Sequence, residues 1–365
     1  MDTLRRDSRI FLGIALFLSL LGLVFIYSSS SVYALERFGS AHYFLKKQAF
    51  YFIPALIGFL FFALIPIKFF KRYAPYLFIF SLILTALTFS RRFGFKVHGS
   101  YRWLKIWGVS VQPSEFLKLF LVIYIGFFIE RKREYVKSFI HSYVPFLVIL
   151  GATFFLLIRQ PDFGSIVTIL MTALILLFVA DFKPMHLLVT MASAIPISIA
   201  LIFSKTYRLN RILIFLNPWS DPKGRGFQII QSLIAIGSGS VWGVGISNSK
   251  QKFFYLPMQH TDFILPIIAE ETGFVGSMII LLLYILFCYF GIRIVSRLSN
   301  IFAMFTTLGF VVLISIQAVV NLMVTTGLLP TKGLGLPFVS YGGTALLALW
   351  CMMGLIANFV RSEKI

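Results

Sequence analysis

The stretch FFYLPMQHTDFILPIIAEETGF, residues 253–274, sets a histidine, an aspartate and two glutamates at the head and in the body of an apolar run. Asp262 stands where a polar loop meets that run, so its carboxylate faces water or headgroups rather than hydrocarbon. A carboxylate so placed can act as a general base towards an acceptor hydroxyl. Glu270 and Glu271 lie roughly 12 Å further on at 1.5 Å per helical residue. Acids at that depth either act in function or pair with a buried cation or hydroxyl. His260 matches a base by its ordinary pKa, although the sequence offers it no orienting partner.

Further candidates lie upstream. In SRRFGFKVHGSYRWLKIWGVSVQPSEFLKL, residues 90–119, Arg102 is flanked by Tyr101 and Trp103. A guanidinium among interfacial aromatics suits a diphosphate; the alternative is an arginine that snorkels to headgroups. Glu115 and Lys118 are spaced i, i+3 with the acid first, the favourable order for a helical pair, and are expected to neutralise each other. Asp162 in RQPDFG, residues 159–164, is placed as the N-terminal carboxylate of the next helix. The run GSGSVWGVG, residues 237–245, matches no nucleotide-binding spacing, but its glycines would let backbone N–H groups approach an anion or a bent sugar chain.

The elements that carry these residues are set by composition. The chain is 59% hydrophobic, with 42 Phe and only 13 acidic residues among 365, and its mean hydropathy is +0.90. Soluble domains are roughly 45–50% apolar, so the expected class is an all-α integral membrane protein forming a single domain over 1–365. Apolar segments near 10–28, 48–66, 73–90, 114–130, 139–158, 163–180, 184–203, 264–291, 301–325 and 343–360 predict about ten transmembrane helices. Pro54, Pro75 and Pro196 fall in them and are tolerable in a bundle. The first run follows Arg5, Arg6 and Arg9 and continues to about Tyr27, long enough to span rather than serve as a cleaved signal. Cys288 and Cys351 both lie in apolar segments and define neither a disulfide framework nor a metal site.

Two connections are long, 91–113 and the large loop between the seventh and eighth helices, about 204–263. Both fall on the side opposite the termini. Lys and Arg divide almost evenly between the two sides, so charge counting alone does not set the orientation. Every short segment on the terminal side is nevertheless basic, and both termini are expected to be cytoplasmic. The basic load of the outer loops then calls for a cause, either an anionic substrate or anionic lipid. Lys105, Arg208, Arg211, Lys250 and Lys252, with Arg102 and His260, are the candidates for substrate binding.

The motifs GSYRWL (99–104), QPSEFLKL (112–119), RQPDFG (159–164), YRLNRILIFLNPWSDPKGRGFQIIQS (207–232), SKQKFFYLPMQHTDFILPIIAEETG (249–273) and PTKGLGLPFVSYGG (330–343) resemble, in order and over nearly the full chain, the SEDS family of bacterial cell-wall polymerases. NPWSDP, NSKQKFFYLP and PTKG are nearer its FtsW-like division branch than its RodA-like elongation branch. The glycine run departs from the family pattern at Ser240 and Ile246. The resemblance implies ten helices in the bacterial cytoplasmic (inner) membrane. It also implies a peptidoglycan glycosyltransferase that polymerises lipid II at the outer face and releases undecaprenyl diphosphate. It maps the essential aspartate onto Asp262, important positions onto Arg102, Glu115 and Lys118, and a supporting acid onto Glu270 or Glu271.

One carboxylate suffices for that chemistry, because a sugar diphosphate leaves as a stable anion and needs cations rather than a second acid. Arg102 and other outward basic residues would hold the diphosphate, with or without a divalent cation, Mg2+ or Mn2+. The expected partners are a single-span class B penicillin-binding protein and other divisome or elongasome membrane proteins, with no nucleic acid. A lipid II flippase and a structural scaffold of the cell-wall complex are the competing readings. Motifs concentrated in loops on one face favour the polymerase.

Overall fold

The computed structural model describes residues 2–363 other than 91, 98, 99, 107, 204, 205, 254 and 255; the side chains of 97, 106, 197, 198, 201, 202, 207 and 208 also lie outside the description. In chain order the elements are α1 (Asp2–Phe38), α2 (Tyr43–Leu64), α3 (Ile67–Leu87), β1 (Gly94–Val97), β2 (Ser100–Ile106), β3 (Val109–Val111), α4 (Pro113–Arg131), α5 (Val144–Arg159), α6 (Phe163–Val179), α7 (Pro184–Phe203), α8 (Thr206–Leu216), α9 (Phe227–Ser238), α10 (Ile264–Val295), α11 (Ile301–Thr325) and α12 (Gly343–Ser362). Every apolar segment predicted from the sequence is a helix. Among the described residues seven helices are long and apolar enough to cross a membrane: α1, α2, α3, α5 with its preceding π turn, α10, α11 and α12. The chain is a multi-pass membrane protein.

Local chemistry sets several boundaries. Pro113 opens α4, whose first turn carries Glu115 and whose last carries Arg131, charges that complement the helix dipole. Asp162 caps α6 by accepting from Ser165 N–H at 3.3 Å and Ser165 Oγ–H at 2.9 Å. Asn300 caps α11 through Ala303 N–H at 3.0 Å.

The bundle has two distinct ends. At one, Asp7 of α1 pairs with Arg293 at 3.1 Å and Arg297 at 2.6 Å, and Lys71 of α3 pairs with Glu130 of α4 at 2.8 Å. At the other end lie the 94–111 segment, the 204–263 segment and the loop 326–342. α2 lies along α12 and α1 along α10, while α11 packs against α4, α6 and α10 near the centre. Phe310, Val311, Ile314 and Ala318 of α11 are almost fully buried.

The two long connections are more structured than loops. Residues 94–111 form an antiparallel sheet in the order β1-β2-β3, with Leu104 opposite both Gly94 and Val111. A hydropathy window of about 19 residues averages over strands of three to seven, so this sheet is not part of the all-helical expectation. The 204–263 segment contains α8, α9 and a glycine turn that docks on a break in α10. At Gly273, φ is +68° and the helix bends. There Val244 and Gly245 N–H donate to the Glu270 and Glu271 carbonyls, both at 3.0 Å, and Phe274 N–H donates to Ser240 O at 2.9 Å. A Cβ on Gly243 would meet Glu271 O at 2.2 Å. Gly239, whose added Cβ would meet Ala269 O, and Gly243 thus serve close backbone packing on α10 rather than an open cradle for an anion.

Candidate active site

A cavity of about 440 Å³ opens at the looped end, and Asp262, Asp162, Arg102, Glu115 and Lys47 all line it. Asp262 stands just before Phe263, the N-cap of α10, and the backbone around it is held through three successive carbonyls. His260 O accepts from Tyr341 N–H at 3.0 Å, Thr261 O from Ser340 Oγ–H at 2.5 Å, and Asp262 O from Asn321 Nδ2–H at 2.9 Å. Asn321 is 1% exposed and also donates to Leu334 O at 2.6 Å. Its amide therefore ties the aspartate segment to the loop 326–342. Gly333 of that loop sits against the carboxylate, where an added Cβ would lie 3.1 Å from Asp262 Oδ2.

The electrostatics follow from this enclosure. Burial pushes the Asp262 carboxyl up to about 6, with Arg102 opposing and Asp162 adding to the rise. Arg102 on β2 donates Nε–H to Gln160 O at 2.9 Å and an Nη2 hydrogen to Pro161 O at 2.6 Å, so it also secures the turn that presents Asp162. Lys332 is held below the usual lysine value by burial and by Arg211, with Asp162 opposing. Two further cations, Lys332 and Arg211, therefore act in the same field.

Beneath the cavity, Lys118 Nζ lies 2.8 Å from Glu115 Oε2 and donates to Gln317 Oε1 at 3.1 Å; Lys118 is 1% exposed. Gln317 in turn donates to Gly335 O at 3.0 Å. The pair thus connects α4, α11 and the 326–342 loop.

Other expected residues stand elsewhere. Lys105 and Lys250 are exposed and do not line the cavity. Lys252 is buried, its ammonium donates to Ser247 O and it does not line the cavity, a correction to its expected place among the cavity's cations. The Arg208 side chain lies outside the described residues. His260 is packed among rings, with centroids 4.3 Å from Phe44, 5.7 Å from Tyr341 and 5.9 Å from Tyr33. Burial pushes its pKa down to about 4, so it is neutral near pH 7. Glu270 accepts from Ser249 Oγ–H, Lys250 N–H at 2.9 Å and Gln251 N–H at 3.4 Å. Glu271 accepts from Ser28 Oγ–H at 2.5 Å. Both glutamates are committed to joining elements.

Among the described residues, no three His, Cys, Asp or Glu gather to hold a metal ion. Asp262 and Asp162 offer one or two carboxylates, which fits the way Mg2+ is shared with substrate phosphates. Gln317, Asn321, Lys332, Gly333, Ser340 and Tyr341 were not singled out from the sequence. Gln317 and Asn321 carry a usable signal: two amides at i, i+4 on one face of an apolar helix.

Fold and site together define a polytopic membrane protein with an acid-and-cation cavity at one end of its helix bundle. The chain belongs to the FtsW/RodA/SpoVE family of cell cycle proteins, which it matches over residues 8–365. It is 39% identical to the probable peptidoglycan glycosyltransferase FtsW of Geobacter sp. (strain M18), covering 96% of this chain and 95% of that one. It is 36% identical to stage V sporulation protein E of Bacillus subtilis (strain 168), covering 96% of each. Among solved structures, it superposes on a chain of a peptidoglycan synthase complex that coordinates polymerization and crosslinking, with TM-score 0.80, 27% identity and 97% of each chain covered. The rod shape determining protein RodA of Thermus thermophilus has the same fold, with TM-score 0.71, 24% identity, and 97% and 96% covered.

Proposed function

We propose that the chain is a peptidoglycan glycosyltransferase that polymerises lipid II, with Asp262 as the base. The observation that carries this is the Asp262 carboxylate itself, half-buried in a cavity beside Arg102, with its pKa raised towards neutrality. An acceptor hydroxyl of the glycan attacks the anomeric carbon of the donor sugar. The new C–O bond forms as the bond to the diphosphate oxygen breaks, and the hydroxyl proton passes to Asp262. Undecaprenyl diphosphate leaves as an anion, so no second acid is required. Arg102, Lys47 and Lys332 supply the positive field for that charge. The donor is α-linked and the product β-linked, so one displacement with inversion completes the step.

In this reading ten helices cross the bacterial inner membrane, the basic terminal end faces the cytoplasm and the cavity opens outside. Support comes from the short basic links at the terminal end and from the gathering of the cavity residues at the other. The partner is a class B penicillin-binding protein, a reading supported by the likeness to a chain of a peptidoglycan synthase complex. Purified protein with labelled lipid II tests the activity. Wild type should form glycan ladders, whereas Asp262→Asn should stay folded and lose chain growth by roughly 10²–10⁴-fold. Ladders at the wild-type rate from Asp262→Asn would remove Asp262 as the base. Adding the transpeptidase should raise the rate; an unchanged rate would refute that partnership.

A further inference from the structure

The glycines of the loop 326–342 differ in what a side chain at each would meet. At Gly335 an added Cβ would lie 3.0 Å from Ser340 Cβ, and at Gly342 it would rest 3.6 Å from Ala345 Cβ. At Gly333 it would meet, among the described residues, only the Asp262 carboxylate, with Oδ2 at 3.1 Å and Cγ at 4.0 Å. Gly333 is exposed and lines the cavity, and it is not one of the glycines with positive φ. Its backbone conformation therefore does not call for glycine. What glycine supplies there is room beside one carboxylate oxygen.

The width of that gap is fixed. Asn321 Nδ2 donates to Asp262 O at 2.9 Å and to Leu334 O at 2.6 Å, so one buried amide bridges the backbone of the base and the residue after Gly333. Ser340 and Tyr341 of the same loop hold Thr261 O and His260 O. The loop cannot draw back from Asp262 without breaking these bonds.

The carboxylate itself is free to receive a proton. Among the described residues no hydrogen bond or ion pair reaches it, and neither oxygen is shut off from the cavity. An acceptor hydroxyl must come within about 2.6–3.2 Å of the oxygen that takes its proton, and a Cβ at 3.1 Å would fill that shell. The anionic leaving group is drawn to Arg102 and Lys47, whereas Gly333, Leu334 and Gly335 present no charge to the cavity.

We propose that Gly333 sets the acceptor's approach: the attacking hydroxyl enters between Gly333 and Asp262 Oδ2, and the bare backbone admits the sugar ring behind it. Gly333 is thus a specificity-determining residue that acts through the space it leaves. The inference rests on the transferase reading above and adds to it the side of the base from which the acceptor comes.

The test measures kcat and KM for labelled lipid II with the full chain in lipid nanodiscs, together with the thermal unfolding midpoint. Gly333→Ala should lower kcat about 10²-fold, the cost of a displacement of about 1 Å at the reacting atoms, with KM and midpoint unchanged. Gly333→Ser, whose hydroxyl can bond to the carboxylate rather than crowd it, should fold at least as well and also lose kcat. Gly335→Ala, which crowds Ser340, shows the pattern of a scaffold loss, a lower midpoint together with a lower rate. Wild-type kcat in either Gly333 variant, a rise in KM alone, or a midpoint lowered as in Gly335→Ala overturns the assignment. Glycan from wild type and Gly333→Ala alike, with Asp262→Asn silent, sinks this inference and leaves the base in place. An active Asp262→Asn removes the base and the inference with it, and no glycan from wild type ends the transferase reading as well.

Discussion

At the scale of single residues, the behaviour of Asp262 follows from its surroundings. A base must be deprotonated to act, and burial places its pKa at about 6, so kcat/KM should fall below that pH by about tenfold per unit and level off above it. His260 titrates at about 4 and cannot produce that limb. His260→Gln should therefore keep the inflection near 6; its disappearance in the pH profile would transfer the role. Asn321 positions Asp262 through the bond to its backbone carbonyl. Asn321→Leu leaves the Asp262 and Leu334 carbonyls without their donor, at a cost of about 1–3 kcal/mol for an unsatisfied buried group. It should lower kcat with little change in KM, and Asn321→Gln should restore part of the rate. A change in KM alone would instead make Asn321 a binding residue.

At the scale of elements, two junctions hold the site in shape. Glu115 and Lys118 are the polar link between α4 and α11, and removing one partner strands a buried charge at about 3–5 kcal/mol. Each single alanine variant should lose folded yield, and the charge-swapped double variant should recover much of it. Additive effects in the double-mutant cycle would show that the two act separately. The second junction is the break in α10. Gly273→Ala puts a side chain at φ +68° with its Cβ 2.4 Å from Gly243 N, and the backbone strain alone is on the order of 1–3 kcal/mol. A lowered unfolding midpoint in detergent is expected, measured by fluorescence-detected size exclusion. An unchanged midpoint would mean that the glycine turn can undock from α10 without cost.

For the whole molecule, the two ends of the bundle are held differently. Asp7, with a side chain 4% exposed, takes both Arg293 and Arg297 and fastens α1 to α10. The Lys137–Asp181 pair is 67% and 80% exposed. Asp7→Asn should lower thermal stability clearly, whereas Asp181→Asn should change it by no more than about 1 kcal/mol. Equal losses would contradict this ranking by burial. The end opposite these pairs carries the cavity, where Gln317, Asn321 and the carbonyls they meet join α11 to the segments on either side of it.

Much of this was legible in the sequence because hydropathy and charge are local properties. Each apolar run is a helix, and Asp262, Arg102, Glu115 and Asp162 could be named from residue type and from their place at the edges of those runs. The short sheet 94–111 escaped because alternation over a few residues vanishes in a window sized for a helix. The place of the glycine run on the α10 break, the burial of Lys252 and the ring cage around His260 depend on contacts between distant parts of the chain. So does the amide of Asn321, which reaches a carbonyl 59 residues away. Residue type says that a buried amide needs a partner; only the packing of α11 against the loops decides that the partner is the backbone of Asp262.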